Sequence, residues 1–273
     1  MIPTIGRVEL LRGCLESLAA CRPRAAEIVV VDQSDSGVDE IVSDYGHAGA
    51  RTVRSSGRGV GLAMNEGIAA ARHETVLVTH DDCTVEPAWV GEACRLMEQD
   101  SDQIVTGRVV PDGHPAEVPS TRDSPTPVDF DGSSYPWVLC PHNMALSRSR
   151  LLEFGGFDER FKVAAEDIDL AYRWLKAGRP LRYRPEMVVW HHDWRPAEAL
   201  RRTYVAYHRG RGEFYGKHLR RRDPRMLRLL ALDVYWTLRT IPERVRERVP
   251  GRVHNRHGIW RSLPIGLVRG LRE

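Results

Sequence analysis

ETVLVTHDDCTVEPAW, residues 74–89, is the segment that indicates the fold of this chain most directly. Residues 76–78 are a short apolar run, typical of a strand that is buried on both faces. His80, Asp81 and Asp82 follow at the carboxyl end of that strand. Because ligands bind at the carboxyl ends of strands in open α/β sheets, we predict an α/β fold with a binding site at this strand end.

The paired carboxylates of Asp81 and Asp82 point to one of two roles. Adjacent carboxylates repel each other unless a cation lies between them and the substrate. Oxygen ligands with an imidazole nearby suit Mg²⁺ or Mn²⁺, which are usually shared with substrate phosphates. The alternative is that both aspartates cap the following helix. The pair alone leaves both interpretations open.

Length and composition set the broad class of the protein. With 273 residues and 42% hydrophobic content, the chain can bury a full core. Its five cysteines are an odd number without a CxxC pair, and the N-terminus shows no export signal. We therefore expect reduced thiols, no zinc site and a cytoplasmic protein.

Positive charge is concentrated in the last quarter of the chain. Residues 200–273 hold 19 Lys and Arg against 6 Asp and Glu, a net charge of +13, whereas residues 1–199 hold 21 against 31, or −10. This asymmetry predicts two functions placed one after the other along the chain. Only three of the 40 basic residues are lysines, so a single arginine carries little information.

The start of the chain alternates strand, helix and strand. Apolar residues keep helical spacing from Val8 to Ala20, and residues 27–32 form a buried strand that ends on Asp32. Pro3 cannot donate to a central ladder and therefore marks a strand end, although only two residues precede it. We expect the native chain to begin upstream, with several apolar residues before Ile2.

Two strand-to-helix junctions carry groups that suit a nucleotide. Turn residues after Asp32 leave its carboxylate at the sheet edge, where it can accept N–H or hydroxyl groups of a nucleoside. Residues 57–61 combine glycines with Arg58 before a helix from about Leu62 to Ala71, and such helix starts can hold an anion. A capping role for Asp32 and an ordinary loop at 57–61 are the alternatives.

A long loop and a second acidic cluster follow. Residues 111–136 contain six prolines and no periodic pattern, which predicts a loop. Residues 165–170, AEDIDL, place Glu166 and Asp167 at the start of a helix whose positive end favours acids. A solvated helix cap is the alternative function of this cluster.

The junctions VVVDQSD, GRGVGLAMNEGI and VLVTHDDCTVEPAW together resemble the nucleotide-sugar half of a family 2 glycosyltransferase with the GT-A fold. HDD resembles the DxD motif of that family, and EDIDLAYRWLKAG after GGFDERF resembles its acceptor-side motif. The resemblance covers about residues 1–195 and implies a Rossmann-like, mostly parallel central sheet flanked by helices. His80 stands where the family usually has Asp, Gln33 where a second acid is common, and Met64 where Arg is frequent. These departures leave the identity of the nucleotide open.

The resemblance also implies how the chain is divided. Residues 1–110 would bind the nucleotide sugar, and residues 137–195 would form the acceptor-binding half of the same GT-A domain. The proline-rich loop, 111–136, separates the two halves. A basic, amphipathic helical extension would occupy residues 196–273.

Individual roles follow from the resemblance as well. Asp167 would be the general base, with Glu166 beside it. Asp82 and His191 would bind the divalent metal, Mg²⁺ or Mn²⁺, although a histidine that ends a strand is often a bystander. The acceptor would meet Asn143 and Asp169. The donor would meet Pro3, Thr4, Arg7, Asp32, Arg58, Asn65, His80 and Asp81.

The tail carries three amphipathic stretches rich in Arg and Trp. A basic helix begins at Pro196, apolar residues keep helical spacing from Leu227 to Ile241, and a third stretch runs from Ile259 to Leu271. Arg228 and Asp233 interrupt the second stretch, so its apolar run is too short to cross a bilayer. Such helices lie on anionic membrane surfaces, and packing against the catalytic domain is the alternative. Signatures of RNA-binding folds are absent, so no nucleic acid partner is expected.

The resemblance, together with the basic tail, implies a metal-dependent, inverting hexosyl- or deoxyhexosyl-transferase in cell-envelope glycan or glycolipid synthesis. It would move a sugar from a UDP-, GDP- or dTDP-sugar to a hydroxyl acceptor, lipid-linked ones included, at the inner face of the membrane. One alternative is a sugar nucleotidyltransferase, which needs a basic glycine-rich loop that residues 3–7 match poorly. The other is a catalytically silent nucleotide-sugar binder that acts as a membrane scaffold.

Overall fold

The computed structural model describes residues 1–114, 118–162, 164–192, 194–239 and 262–272. The chain forms two compact units, one of Met1–Lys162 with Glu166–Asp193 and one of Val163–Ala165 with Trp194–Glu273. The strands of the first unit are β1 (Ile2–Thr4), β2 (Ile28–Asp32), β3 (Ala50–Arg54), β4 (Thr75–Val78), β5 (Cys83–Val85), β6 (Ile104–Asp112), β7 (Val128–Phe130), β8 (Met144–Ser147) and β9 (Leu181–His192). Its helices are α1 (Val8–Ala20), α2 (Asp39–Ser43), α3 (Val60–Ala70), α4 (Trp89–Gln99), α5 (Arg148–Phe154) and α6 (Glu166–Lys176). The second unit contains α7 (Ala197–Arg220), α8 (Arg225–Arg239) and α9 (262–272).

Strands β1, β2 and β3 are parallel and are ordered β1-β2-β3. Two hydrogen bonds connect β1 to β4 in the pattern of parallel strands, from the Met1 amine to the Leu77 carbonyl (2.6 Å) and from the Thr79 amide to the Met1 carbonyl (3.2 Å). The carboxyl ends of β1, β2 and β4 therefore lie at one edge. The residues that follow these strands meet there.

The second sheet is mixed and is ordered β4-β8-β6-β9-β5, with β7 paired to β9. Strand β8 is antiparallel to β4, with Met144 opposite Val78, so the turn that precedes β8 lies at the carboxyl end of β4. Strand β9 is parallel to β6 and delivers His191 near its own carboxyl end. Helices cover both faces, α1 and α4 on one side and α3, α5 and α6 on the other, which confirms the predicted α/β class.

The pairing of β6 with β9 is interrupted by a bulge. Gly107 lies opposite Arg184, but the next residue, Arg108, lies opposite Val188. The side-chain amide of Asn143 enters this break and donates to the carbonyls of Arg108 (2.8 Å) and Met187 (2.9 Å). A Cβ at Gly107 would overlap the Asn143 amide and the Met187 backbone. The bulge thus depends on an asparagine and a glycine.

Two elements differ from the sequence prediction. Strand β7 lies inside the segment 111–136, which was predicted to be a loop, because the exposed edge of β9 gives three of its residues a partner. The sequence predicts an apolar strand from Pro185 to His192, but β9 begins at Leu181. The proline therefore lies inside the strand, at the bulge, where a missing N–H is tolerated.

In the second unit, α7 and α9 pack with their backbones in close contact. Glycines face each other at the crossing, and an added Cβ at Gly212 or Gly216 would overlap the backbone of α9. Added Cβ atoms at Gly266 and Gly270 would overlap the backbone of α7 in the same way. Among the described residues, no helix is long and apolar enough to cross a membrane. Ile241, Ile259 and Trp260, which the sequence analysis assigned to apolar helix faces, lie outside the described residues.

Candidate active site

Asp81 joins the end of β1 to the end of β4. It is fully buried and accepts hydrogen bonds from the Thr4 hydroxyl (2.6 Å) and the Arg7 Nε (3.1 Å). The Arg7 Nη2 donates to its other oxygen. Burial raises the pKa of Asp81, and the hydrogen bonds and charge of Arg7 oppose that rise. Asp81 therefore holds Arg7 and Thr4 at the sheet edge.

Asp82 faces His191 across the carboxyl edge. Its Oδ2 lies 3.6 Å from the His191 Nε2 and 3.3 Å from the Arg7 Nη1. Burial disfavours the ionised form, but the hydrogen bond and charge of His191, together with the charges of Arg7 and His80, outweigh it. They hold the pKa of Asp82 well below its usual value. Asp82 is thus a buried carboxylate that is ionised.

Three residues at this edge offer ligand atoms within 4.8 Å of one another: Asp82, Cys83 and His191. Burial and the charge of Asp82 raise the pKa of the Cys83 thiol well above its usual value, so the thiol stays protonated and is a poor ligand. A carboxylate oxygen and an imidazole nitrogen remain. This pair fits a divalent cation such as Mn²⁺, with further positions left to substrate oxygens and water.

A third histidine, which the sequence analysis did not single out, belongs to the same cluster. The His142 ring lies 4.8 Å from the His191 ring and 5.5 Å from the His80 ring, measured between centroids. Burial and then the neighbouring histidines lower the pKa of His142 well below its usual value, so the ring is neutral. His142 directly precedes the turn into β8, and the antiparallel pairing of β8 with β4 is what brings it here.

Asp32 ends β2 at the same edge. It is fully buried, its Oδ1 accepts a hydrogen bond from the Ser34 amide (2.8 Å), and its Oδ2 accepts one from Arg54. Arg54 is the cross-strand partner of Asp32 in β3, a pairing that the sequence analysis did not consider.

Two other residues that the sequence analysis assigned to the donor lie elsewhere in the first unit. Pro3, the central residue of β1, is buried opposite Val31. Arg58 lies at the surface in an exposed ion pair with Asp35 (2.6 Å).

The second acidic cluster begins α6. Ala165, directly before it, has a φ of +81°, which residues other than glycine rarely adopt. Glu166 is buried, and its Oε2 has no hydrogen-bond partner in the part of the chain that the structure describes. Burial, and then the charge of Asp167, raises the pKa of Glu166 well above its usual value. Asp167 is only half-buried. Glu166 therefore favours its protonated form.

The turn 140–142 bears on both the acids at the start of α6 and the histidines near Asp82. Burial, and to a lesser degree the charge of Asp167, raises the pKa of the Cys140 thiol to about 11. Two residues later, the ring of His142 packs against that of His191. The turn therefore carries one residue that interacts electrostatically with the acid of α6 and one whose ring packs on that of His191.

A comparison with models of protein families shows the family to which the chain belongs. The model of the family described as "Glycosyl transferase family 2" matches residues 1–154. The chain belongs to glycosyl transferase family 2. The motifs of the sequence predicted this family. Among curated proteins, no sequence matches this chain.

Solved structures with the same fold are glycosyltransferases. S. aureus TarS 1-349 shares 18% identity and a TM-score of 0.56 over 75% of this chain and 63% of its own. GalNAc-T7 with UDP, GalNAc and Mn²⁺ shares 15% identity and a TM-score of 0.57, over 80% of this chain and 49% of its own. The mannosyltransferase PcManGT from Pyrobaculum calidifontis shares 18% identity and a TM-score of 0.67, over 99% and 85%. The family 2 chain thus spans 49–63% of the first two proteins and has the GT-A fold.

Three residues that the sequence analysis assigned to ligands have protein hydrogen-bond partners in this family 2 chain. Asn65 binds the backbone N–H and carbonyl of Phe157, both at 2.9 Å. Asp169 is fully buried and accepts a hydrogen bond from Arg173 (2.6 Å). Besides its two donor contacts in the bulge, Asn143 accepts from the Trp89 Nε1 (2.8 Å). In this structure, these three side chains hold neighbouring elements of the fold together.

The buried Glu166 predicts how the stability of this family 2 chain depends on pH. Because its pKa is raised in the folded chain, the unfolded chain loses this proton first as pH rises, and the free energy of unfolding falls. Between about pH 5 and pH 8, wild type should lose more unfolding free energy than Glu166→Gln, measured by urea denaturation. Glu153→Gln, at an exposed acid, should follow wild type. Parallel curves for wild type and Glu166→Gln would contradict the assignment.

Proposed function

We propose that this enzyme is an inverting, metal-dependent glycosyltransferase that moves a sugar from a nucleotide-diphospho-sugar to a hydroxyl acceptor. The observation that carries the proposal is the Asp82–His191 pair at the carboxyl edge of the sheet, a buried ionised carboxylate whose Oδ2 lies 3.6 Å from the His191 Nε2. The proposal assigns this pair to the donor phosphates and Asp167, at the start of α6, to the acceptor as its base. Glycosyl transfer needs both.

The donor class is supported by the edge of the sheet and by the similar structures. TarS 1-349 has been solved with UDP-GlcNAc, and PcManGT with GDP-Man and Mn²⁺. In this chain, Asp32 and Arg54 at the ends of β2 and β3 offer hydrogen-bonding groups to a base or ribose. Asp82 and His191 would hold the divalent ion, for which the imidazole favours Mn²⁺ over Mg²⁺. Bound there, the ion would stabilise the charge of the departing nucleoside diphosphate.

Asp167 is the acid that suits proton transfer. Glu166 keeps its proton because it is buried and lies beside another acid, so it cannot accept one from the acceptor. Asp167 is half-buried and within reach of a ligand. Asp167 removes the proton of the acceptor hydroxyl, and the oxygen attacks the anomeric carbon opposite the diphosphate, which inverts the configuration. A single carboxylate transfers protons here, in contrast to the two of a glycoside hydrolase.

A donor screen tests the proposal directly. The full chain is incubated with labelled UDP-, GDP- and dTDP-hexoses and deoxyhexoses, with Mn²⁺ and then with a chelator. Release of sugar from one nucleotide class, dependent on the metal, is the expected result. The anomeric configuration of the product, read by NMR, decides between inversion and retention. Release of pyrophosphate from nucleoside triphosphate and sugar phosphate would identify a nucleotidyltransferase instead.

We also propose that the second unit binds an anionic membrane surface from the cytoplasmic side, where cell-envelope glycans and glycolipids are started. Helix α9 exposes Ile265, Val268 and Leu271, which are 56%, 47% and 44% accessible, close to Arg269 and Arg272. An apolar face edged by arginines suits the boundary between headgroups and acyl chains. Such a surface would bring the enzyme to a lipid-linked acceptor.

Vesicle sedimentation tests this surface. The full chain should sediment with phosphatidylglycerol vesicles, less so as salt rises, and only weakly with phosphatidylcholine. The triple variant Ile265→Ser, Val268→Ser and Leu271→Ser should bind about tenfold more weakly or worse, because it loses most of the apolar area. Val128→Ser, at an exposed apolar residue of the first unit, is the matched control. Equal binding by the triple variant would contradict the proposal.

A further inference from the structure

Arg54, the last residue of β3, is held at the carboxyl ends of β2 and β3 by two protein acceptors. Its Nη1 donates to the Asp32 Oδ2, and its Nη2 donates to the Ser34 carbonyl. The Arg54 side chain is nevertheless 54% exposed, whereas that of Asp32 is 0% exposed. The group that these strand ends present at the surface is therefore a fixed guanidinium rather than a carboxylate.

The Asp32 carboxylate is already used within the protein. Its Oδ1 accepts from the Ser34 amide (2.8 Å), and its Oδ2 accepts from Arg54. The Asp32 backbone carbonyl accepts from the Ser55 amide (2.9 Å), which fixes the ends of β2 and β3 to each other. Direct contact with a nucleoside, which the sequence analysis expected of Asp32, would require this arrangement to open.

The guanidinium of Arg54 keeps donors for a ligand. Each Nη carries two hydrogens and uses one of them here, and the Nε–H has no hydrogen-bond partner among the residues that the structure describes. Along one edge of this planar group, the Nε–H and an Nη–H form a fork that matches two adjacent acceptors on a planar ligand. Asp35, an exposed acid of the following turn, pairs with Arg58 instead (2.6 Å).

We propose that Arg54 recognises the base of the sugar donor and selects guanine, so that the donor is a GDP-sugar. Guanine offers O6 and N7 as adjacent acceptors, the pair that arginine contacts most often in base recognition. Uracil and thymine, the bases of the other donors considered above, offer O4 alone at the corresponding edge, and thymine adds a methyl group beside it. The inference rests on the proposed function and narrows its donor class.

A variant that keeps the charge tests the role of the fork. Arg54→Lys retains a cation but cannot donate two parallel hydrogen bonds. With Mn²⁺ present and binding measured by calorimetry, wild type should bind GDP at least about tenfold more tightly than UDP, dTDP or CDP. Arg54→Lys should bind GDP about 10-fold to 100-fold more weakly than wild type, and UDP within about threefold of it. Arg95→Lys, at an exposed ion pair of α4, is the matched control.

Two analogues of GDP test the contact without changing the protein. 7-Deaza-GDP has a C–H in place of N7, so it loses one acceptor and should bind wild type about tenfold more weakly than GDP. Inosine diphosphate keeps O6 and N7 but lacks the 2-amino group from which a carboxylate would accept, so it should bind like GDP. Arg54→Lys should bind GDP and 7-deaza-GDP alike. The comparison in wild type decides the question even if the variant folds poorly.

The outcomes distinguish the inference from the proposed function. A preference for GDP that is weakened both by Arg54→Lys and by 7-deaza-GDP supports the role of Arg54. Tighter binding of another diphosphate, or GDP affinity that Arg54→Lys leaves unchanged, would overturn that role while the nucleotide-sugar function stands. A loss with inosine diphosphate but not with 7-deaza-GDP would return the base contact to Asp32. If no nucleoside diphosphate binds with Mn²⁺ present, the proposed function fails, and this inference fails with it.

Discussion

Replacing Asp167 with Asn is expected to lower turnover by about 10²-fold to 10⁴-fold, the usual contribution of general base catalysis. Asn is nearly isosteric and still caps a helix start, so the fold should keep its stability. It cannot take the proton of the acceptor. Donor affinity should stay near wild type, because the groups proposed for the donor lie at the ends of other strands. Turnover and donor affinity, by calorimetry, are measured on the same preparation.

The neighbouring acid supplies the matched control for Asp167. Glu166→Gln makes the same change, from acid to amide, at a residue that already carries its proton. Its turnover should stay close to that of wild type. If Glu166→Gln loses as much turnover as Asp167→Asn, or if Asp167→Asn retains wild-type turnover, the base has been assigned to the wrong acid.

Replacing Asp82 with Asn should abolish metal-dependent donor binding and activity together. Loss of an outer partner of a metal ligand costs about 10-fold to 100-fold, so loss of a charged ligand should cost more than about 100-fold in Mn²⁺ affinity. The change also affects stability. Because the pKa of Asp82 is depressed in the folded chain, its ionised form stabilises the fold above the ordinary pKa, and that stabilisation is lost as pH falls.

A surface pair of the same composition serves as the control for Asp82. Asp112 lies 2.6 Å from the Nδ1 of His192, the residue after His191, and it is 60% exposed. Asp112→Asn removes a carboxylate from a histidine without touching the buried site. It should leave Mn²⁺ affinity and donor binding at the wild-type level. Equal losses in the Asp82 and Asp112 variants would mean that general charge, rather than a metal site, is responsible.

The fold could be predicted from the sequence because helical spacing and apolar runs are properties of neighbouring residues. The helical spacing from Val8 to Ala20 predicted α1 with its bounds, and the apolar runs before Asp32 and His80 predicted β2 and β4. Motifs read along the chain were sufficient for the family, which the match over residues 1–154 confirms. Strand β7 was missed because it depends on the edge of β9 rather than on its own residues.

The roles of single polar residues were harder to predict, because their partners are distant in sequence. Asn143 stood in a segment expected to contact the acceptor, yet its amide fills a bulge between strands that begin 39 residues before it, at Ile104, and 38 residues after it, at Leu181. Asp81 and Asp82 are adjacent and looked alike, but their partners differ. His142 carried no motif, and only the antiparallel return of β8 brings it to His191.

The contact of Arg7 with both Asp81 and Asp82 fixes the formal charge of the site. One guanidinium and two carboxylates sum to −1, and a divalent cation would turn that sum to +1. Under the proposed function, the metal-free site would repel a diphosphate and the metal-loaded site would attract it. We therefore expect cation and donor to bind with positive cooperativity, each raising the affinity for the other by the same factor. Metal supply in the cell would set the apparent affinity for the sugar donor.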